Sequence, residues 1–158
     1  VMEEVKFRKM VLSDLPRIME IESLSFTVPW TKEAFINELT NNQFAHYGVA
    51  IVGDQIVGYC GMWIIIDEAH ITNIAIHPNM RGKGIGKELL KQMILLADML
   101  GATKMTLEVR TSNRIAQHLY HSLGFEKKGI RPKYYSDNQE DAIIMWVNFD
   151  EVNNERLE

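Results

Sequence analysis

The stretch His77-Pro78-Asn79-Met80-Arg81-Gly82-Lys83-Gly84-Ile85-Gly86-Lys87 decides how this chain is read. It lies between a β-like run, His70–His77, and a long amphipathic segment from about Gly84 to Leu100. Pro78 ends the β-run because it cannot donate to a ladder. Successive backbone N–H groups at a helix start form an anion site. Glycines let a phosphate approach the backbone closely, and Arg81, Lys83 and Lys87 add positive charge. Two common phosphate loops do not fit. A Walker A loop has four residues between its glycines, then Gly-Lys-Ser/Thr; Gly82 and Gly86 enclose only Lys83, Gly84 and Ile85, and Glu88 stands where the hydroxyl belongs. The dinucleotide fingerprint needs G-x-G-x-x-G, whereas the spacing here is G-x-G-x-G with no βαβ unit and ribose-binding acid behind it. A glycine-rich turn that binds nothing has the same composition, so the rest of the chain has to decide.

Downstream of the loop, Ile85, Leu89, Leu90, Met93, Ile94, Ala97 and Leu100 form one stripe at helical period, and Gly101 sits where a left-handed cap is expected. Lys104–Arg110 alternates as a strand, with Met105, Leu107 and Val109 on one face and Thr106, Glu108 and Arg110 on the other. A helix from about Asn113 to Leu123 closes at Gly124, and strands follow at about 125–131 and 142–149. Upstream, residues 4–11 read as a strand. Ser13 caps a helix with Pro16 in its first turn and Leu15, Ile18, Met19, Ile21 and Leu24 as its apolar positions. Thr31 starts a second helix carrying Ala34, Phe35 and Leu39. The runs His46–Val52, Gln55–Ile66 and His70–His77, separated by turn residues, suggest an antiparallel meander. The pattern predicts an α+β (mixed α/β) fold: a twisted, mostly antiparallel central sheet flanked by about four helices. With no repeat or linker in view, residues 1–158 read as a single domain.

Composition narrows the class. Hydrophobic residues are 46% and charged residues 24% of 158, an ordinary globular balance. Surface scaling allows about two-thirds of the chain's surface to be buried, enough for a core without staples. One cysteine, Cys60, excludes an internal disulfide framework and any zinc site built on several cysteines. A net charge of −4 argues against a general nucleic-acid binder. The longest apolar run, Met62–Ile66, stops at Asp67, far short of a membrane span, and V-M-E-E-V-K is followed by no secretory core. A cytoplasmic protein is expected.

The loop also matches Arg-x-x-Gly-x-Gly, at Arg81, Gly84 and Gly86. That pattern resembles the pyrophosphate loop of acetyl-CoA-dependent N-acetyltransferases. Other segments agree in order: Pro29–Trp30, Asn73–Ile76, Leu107–Arg110, Ser112–Asn113, Leu119–Tyr120, Leu123–Phe125, Tyr134–Tyr135 and Glu140–Ala142. On these the chain is similar, over nearly its whole length, to the GNAT superfamily, and within it to the RimI group of ribosomal-protein N-terminal alanine acetyltransferases. The resemblance implies acetyl-CoA as co-substrate and no metal. It implies that Arg81, Gly82, Lys83, Gly84, Ile85, Gly86 and Lys87 bind the pyrophosphate. The backbone of Ile74, Ala75 and Ile76 would pair with the pantetheine arm, and Asn113 would also bind the cofactor. Glu108 would be the general base, through a water, and Tyr120 would protonate the departing thiolate.

Each residue also has a plainer reading. Glu108 alone is a carboxylate on an alternating strand; the E-V-R-x-S-N context favours catalysis. Tyr120 follows the Ile115, Ala116, Leu119 stripe and could be a core-edge ring. Asn113 suits an N-cap. Trp30, Tyr134 and Tyr135 are candidates for lining a peptide channel or loop residues covering the core. Glu22, Asp137, Glu140 and Asp141 could draw a basic peptide, although acidic loop residues are usually only solvated. His118 and His121 have metal-compatible spacing but no completing carboxylate, and Cys60 reads as a small buried residue.

Three functions then remain: α-amine acetylation of a protein N-terminus, most simply the terminal alanine of a basic small-subunit ribosomal protein; acetylation of lysines or small amines; and non-enzymatic acetyl-CoA binding. No nucleic-acid or membrane partner is expected. At pH 7 the neutral fraction of an α-amine exceeds that of lysine by roughly 300-fold, which favours the first.

Overall fold

The computed structural model describes residues 4–150; the sequence readings of the first three residues and of the tail past 150 fall outside them. The strands are β1 (Val5–Lys9), β2 (Ala45–Val52), β3 (Gln55–Ile65), β4 (Glu68–Ile76), β5 (Lys104–Arg110), β6 (Glu126–Arg131) and β7 (Ala142–Asn148). The helices are α1 (Leu15–Ser25), α2 (Lys32–Thr40), α3 (Ile85–Met99) and α4 (Arg114–Ser122). Strands hydrogen-bond in the order β1-β2-β3-β4-β5-β7-β6. β1 with β2, β2 with β3, β5 with β7 and β6 with β7 run antiparallel. The turn joining β3 to β4 is too short for a parallel crossover. β4 and β5 are parallel, in register from Glu68↔Lys104 to His70↔Thr106. The expected mixed α/β fold, with a mostly antiparallel sheet and four helices, is what forms.

The chain divides into two compact units, the first reaching Trp63 and including Thr72–Met93, the second comprising Ile64–Ile71 and the chain from Ile94 onward. The first has a core of Met10, Leu15, Ile18, Ile21, Tyr47, Val49, Ile56, Tyr59 and Ala75 around Phe35. Phe35 meets Tyr47 and Tyr59 edge-on at 6.1 and 5.9 Å, the geometry that aromatic quadrupoles favour. Thr31 caps α2 as its sequence predicts, accepting from the Ala34 N–H at 3.2 Å.

The start of α1 differs from the expectation at Ser13. A 3₁₀ turn, Leu12–Asp14, comes first, and α1 begins at Leu15. The Asp14 carboxylate instead accepts from both guanidinium nitrogens of Arg8, at 2.7 and 2.8 Å, and from the Val11 N–H at 2.8 Å. These bonds hold its carboxyl below the usual range. The apolar stripe of α1 is also shifted. Leu24 is 58% exposed, while Glu22 is 1% exposed. At 100° per residue, Glu22 lies within about 20° of Leu15 around the helix and Leu24 about 180° away. Glu22 tolerates that place because it accepts from the Tyr59 hydroxyl and, at 2.8 Å, the Trp30 N–H. Leu100 lies past the end of α3 and is exposed, unlike the rest of its stripe.

In the second unit, the alternation of β5 becomes real burial: Met105, Leu107 and Val109 face inward, opposite Val147, Met145 and Ile143 of β7. Gly101 and Gly124 close α3 and α4 with φ of 97° and 99°. Among the described residues, no helix is long and apolar enough to cross a membrane.

Candidate active site

In the first unit the glycine loop is shaped by its own backbone. His77 Nδ1 accepts from the Asn79 N–H at 3.1 Å as the chain enters a 3₁₀ turn, Pro78–Met80. Arg81 donates from Nε to the Ile76 carbonyl at 3.0 Å and from Nη2 to Ser25 Oγ at 3.2 Å. Gly82 and Gly84 have φ of 78° and 81°, which side-chain-bearing residues avoid. A Cβ built on either meets nothing within 4 Å. The requirement for glycine is therefore conformational, and the space before the loop is open. Ile85 is buried and pins the start of α3. The Glu88 N–H bonds the Gly84 carbonyl at 3.1 Å, so the N–H groups of Ile85, Gly86 and Lys87 precede the first intrahelical bond and point out of the helix end. Asn73 Nδ2 on β4 is buried without a hydrogen-bond partner among the described residues. An open cradle of N–H donors, basic side chains and an orphaned donor on the neighbouring strand fit the phosphates and the amide-bearing arm of the cofactor that the resemblance implies.

In the second unit the centre is Glu108. Its side chain is 9% exposed, and His70 beside it is 40% exposed. His70 Nε2 lies 2.8 Å from Glu108 Oε2, and Arg131 Nε lies 3.4 Å from Oε1. Tyr134 is close enough for the Glu108 charge to help burial raise its phenol. The two tyrosines stack edge to face at 5.1 Å. The Arg131 guanidinium lies 6.0 Å from the Tyr134 ring, and that of Arg110 lies 4.0 Å from the Tyr135 ring. Burial pushes the Tyr135 phenol up to about 12. Glu108, Tyr134 and Tyr135 thus gather in one cluster with His70 and Arg131. Sequence reasoning missed those two. The polar parity of His70 on β4 was visible, but its meeting with Glu108 depends on the parallel β4–β5 register.

The acidic residues of the loop before β7 are structural. Arg110 binds Asp137 Oδ2 at 2.8 Å and Glu140 Oε1 at 3.2 Å. Glu140 also accepts from the Ser112 N–H at 2.7 Å and Thr111 Oγ1 at 3.1 Å. Ser112 most of all, then Arg110 and Thr111, pull the Glu140 carboxyl down to about 2. Asp141 accepts from the Lys133 N–H at 2.9 Å. Glu22 is enclosed in the first core. Internal donors thus hold oxygens of all four, Glu22 through Tyr59 and Trp30 and the loop acids through Arg110, Thr111, Ser112 and Lys133, which only the folded chain reveals.

Tyr120 is buried in the second unit, its ring 6.0 Å from Phe125. Asn113 Oδ1 caps α4, accepting from the Ala116 N–H at 3.1 Å. Trp30 packs on Phe35 in the first unit, centroids 5.3 Å apart. Cys60 is fully buried, and burial pushes its thiol up. Among the described residues no three His, Cys, Asp or Glu side chains form a metal-holding group.

Residues 15–125 match the profile of the Acetyltransferase (GNAT) family. The chain is 48% identical over 144 residues to a Bacillus subtilis protein provisionally described as a ribosomal protein bS18-alanine N-acetyltransferase; the match spans 91% of this chain and 95% of that one. It is 34% identical over 135 residues to the Escherichia coli K12 ribosomal protein bS18-alanine N-acetyltransferase, covering 84% of this chain and 90% of the relative. The crystal structure of the E. coli ribosomal-protein-S18-alanine N-acetyltransferase superposes with a TM-score of 0.84 at 31% identity, over 92% of this chain and 94% of that one.

Proposed function

This chain belongs to the acetyltransferase (GNAT) family and is an acetyl-CoA-dependent N-acetyltransferase, and from that premise we propose that it acetylates the N-terminal α-amine of a protein, the terminal alanine of a small-subunit ribosomal protein of the bS18 kind. The observation that carries this reading is the 48% identity to the B. subtilis relative along nearly the full length of both chains. We take residues 1–158 as one catalytic domain working in the cytoplasm.

Acetyl-CoA, when bound, supplies an acetyl group activated as a thioester. The N–H groups at the start of α3, with Gly82, Gly84, Gly86, Lys83 and Lys87, bind its pyrophosphate. Arg81 braces that loop through Ile76 and Ser25. The backbone of Ile74–Ile76 holds the pantetheine arm, and an N–H there polarises the thioester oxygen. Asn113 contributes to cofactor binding from the start of α4. Trp30, Tyr134 and Tyr135 line the path of the acceptor peptide. Glu108 supplies the base, reaching the amine proton directly or through one water, as acid–base catalysis requires. Tyr120 Oη gives its proton to the departing sulfur.

The test is coenzyme A release with two peptides. One carries a free N-terminal Ala-Arg in a basic context; the other is identical but N-terminally blocked, with its lysines free. Release from the free-terminus peptide alone is expected. Equal release from both moves the function to lysine or general amine acetylation. Bound acetyl-CoA with no release from either peptide refutes the α-amine reading.

A further inference from the structure

Glu108 is an unusual shape for a base that works alone. Its carboxylate is nearly closed to solvent, and each oxygen already faces a nitrogen, Oε2 with His70 and Oε1 with Arg131. His70 is the open member of the pair. An ionised carboxylate can only accept a hydrogen bond. Against an ionised carboxylate the 2.8 Å contact is an Nε2–H donating to Oε2, and a neutral imidazole held that way has its free lone pair on Nδ1. A buried carboxylate fixing the tautomer of an exposed imidazole is the arrangement that makes a histidine a general base and stabilises the imidazolium formed.

We propose that the base of this enzyme is the His70–Glu108 pair, in which His70 Nδ1 receives the proton of the acceptor α-ammonium and Glu108 is the positioning residue. The proposal rests on the α-amine reading above and divides the role given there to Glu108. The α-ammonium nitrogen sheds two protons in forming the amide. The first leaves without electrons for the Nδ1 lone pair, and the imidazolium passes it to solvent from its exposed edge. The freed nitrogen pair forms the bond to the acetyl carbon while the carbon–sulfur bond breaks toward sulfur. The second proton replaces the one that Tyr120 gives to that sulfur. Among the described residues the charged and titratable groups on the facing strands are Glu108 on β5, Arg131 and Tyr134 beyond it, and the Lys104–Glu68 pair, 3.8 Å apart and two positions along the same register.

Two measurements test this. Long-range ¹⁵N–¹H NMR of the wild-type chain should show His70 as the Nε2–H tautomer; an Nδ1–H tautomer overturns the proposal whatever the substrate. In coenzyme A release with the free-terminus peptide, His70→Gln keeps an N–H donor within reach of Glu108 but has no nitrogen to protonate. It should lose about 100-fold or more in kcat, the usual worth of a positioned acid–base group, with KM for the peptide unchanged. His70→Ala should lose as much and regain part of it when imidazole is added. Turnover by His70→Gln within a few-fold of wild type, or no rescue of His70→Ala, refutes His70 as proton acceptor and leaves the α-amine reading standing. A wild-type enzyme that ignores the free α-amine refutes that reading, and the assignment of His70 to it falls too.

Discussion

Replacing Gly84 by alanine separates the two reasons for a glycine in the phosphate loop. Gly84 has φ of 81°, and nothing lies within 4 Å of an added Cβ. The cost to folding is therefore backbone strain alone, about 1–2 kcal/mol for a side-chain-bearing residue in the left-handed region. For a chain of this size that lowers Tm by about 2–8 °C. Gly101 is a matched control: its φ is 97°, nothing lies within 4 Å of its Cβ either, and it sits at the end of α3 rather than in the loop. Gly101→Ala should show the same loss of Tm. The variants should part company on cofactor binding. In the proposed cofactor site a methyl group at 84 would stand where a phosphate oxygen approaches the backbone and would remove at least one charge-assisted hydrogen bond, about 1.5–3 kcal/mol. That corresponds to a rise of about ten- to a hundredfold in KM for acetyl-CoA, against no change for Gly101→Ala. Thermal denaturation without ligand and saturation kinetics in acetyl-CoA measure the two effects. Equal KM values for the two variants, with equal losses of Tm, would show that no phosphate meets the backbone at Gly84.

Tyr120→Phe should keep its packing on Phe125 while kcat falls about tenfold or more; unchanged turnover, with chemistry shown to be rate-limiting, removes the hydroxyl from the reaction. Phe35→Ala empties the aromatic centre of the first core and should cost about 3–5 kcal/mol in urea unfolding, against less than about 1.5 kcal/mol for Phe35→Leu if the site repacks well. Burial raises the Glu22 carboxyl against the pull of Tyr59 and Trp30. A raised folded pKa means the folded chain binds the extra proton, so this contribution to stability is full below the unfolded value and is lost as pH rises through the folded one. The stability of wild type minus that of Glu22→Gln should accordingly fall with rising pH from about 4 upward; a flat or rising difference in urea titrations rejects the assignment. Glu140 has the opposite sign. Its carboxyl is held down to about 2, so its anchoring of the Tyr134–Tyr135 loop is full above the ordinary carboxylate range and is lost as pH falls toward 2; the stability of wild type minus that of Glu140→Gln should shrink over that range in urea titrations, and a constant difference rejects the assignment.

What the sequence determined by itself was whatever depends on near neighbours. β5 begins and ends at Lys104 and Arg110 as its alternation predicts, because a pleat has a period of two and needs no partner to reveal it. The Thr31 cap and the glycines closing α3 and α4 were legible because a cap is a bond across three residues and a left-handed φ is a property of one. The loop at 81–87 was legible for the same reason, and the spaced motifs extended it to a family. Tertiary structure decided what depends on distant partners. Glu22 displaced Leu24 from the α1 stripe because Tyr59 and Trp30 supply its hydrogen bonds. The cap expected at Ser13 gave way to a 3₁₀ turn whose last residue, Asp14, binds Arg8 from β1. β7 inserted between β5 and β6, so Glu108 and Arg110 face neighbours that chain order does not suggest. The pairing of His70 with Glu108 came from a parallel register between strands 36 residues apart, Glu68 with Lys104. Local periodicity says that each of those side chains is polar and on a face; only the fold, by choosing which strand lies beside which, turns a carboxylate and an imidazole into a pair.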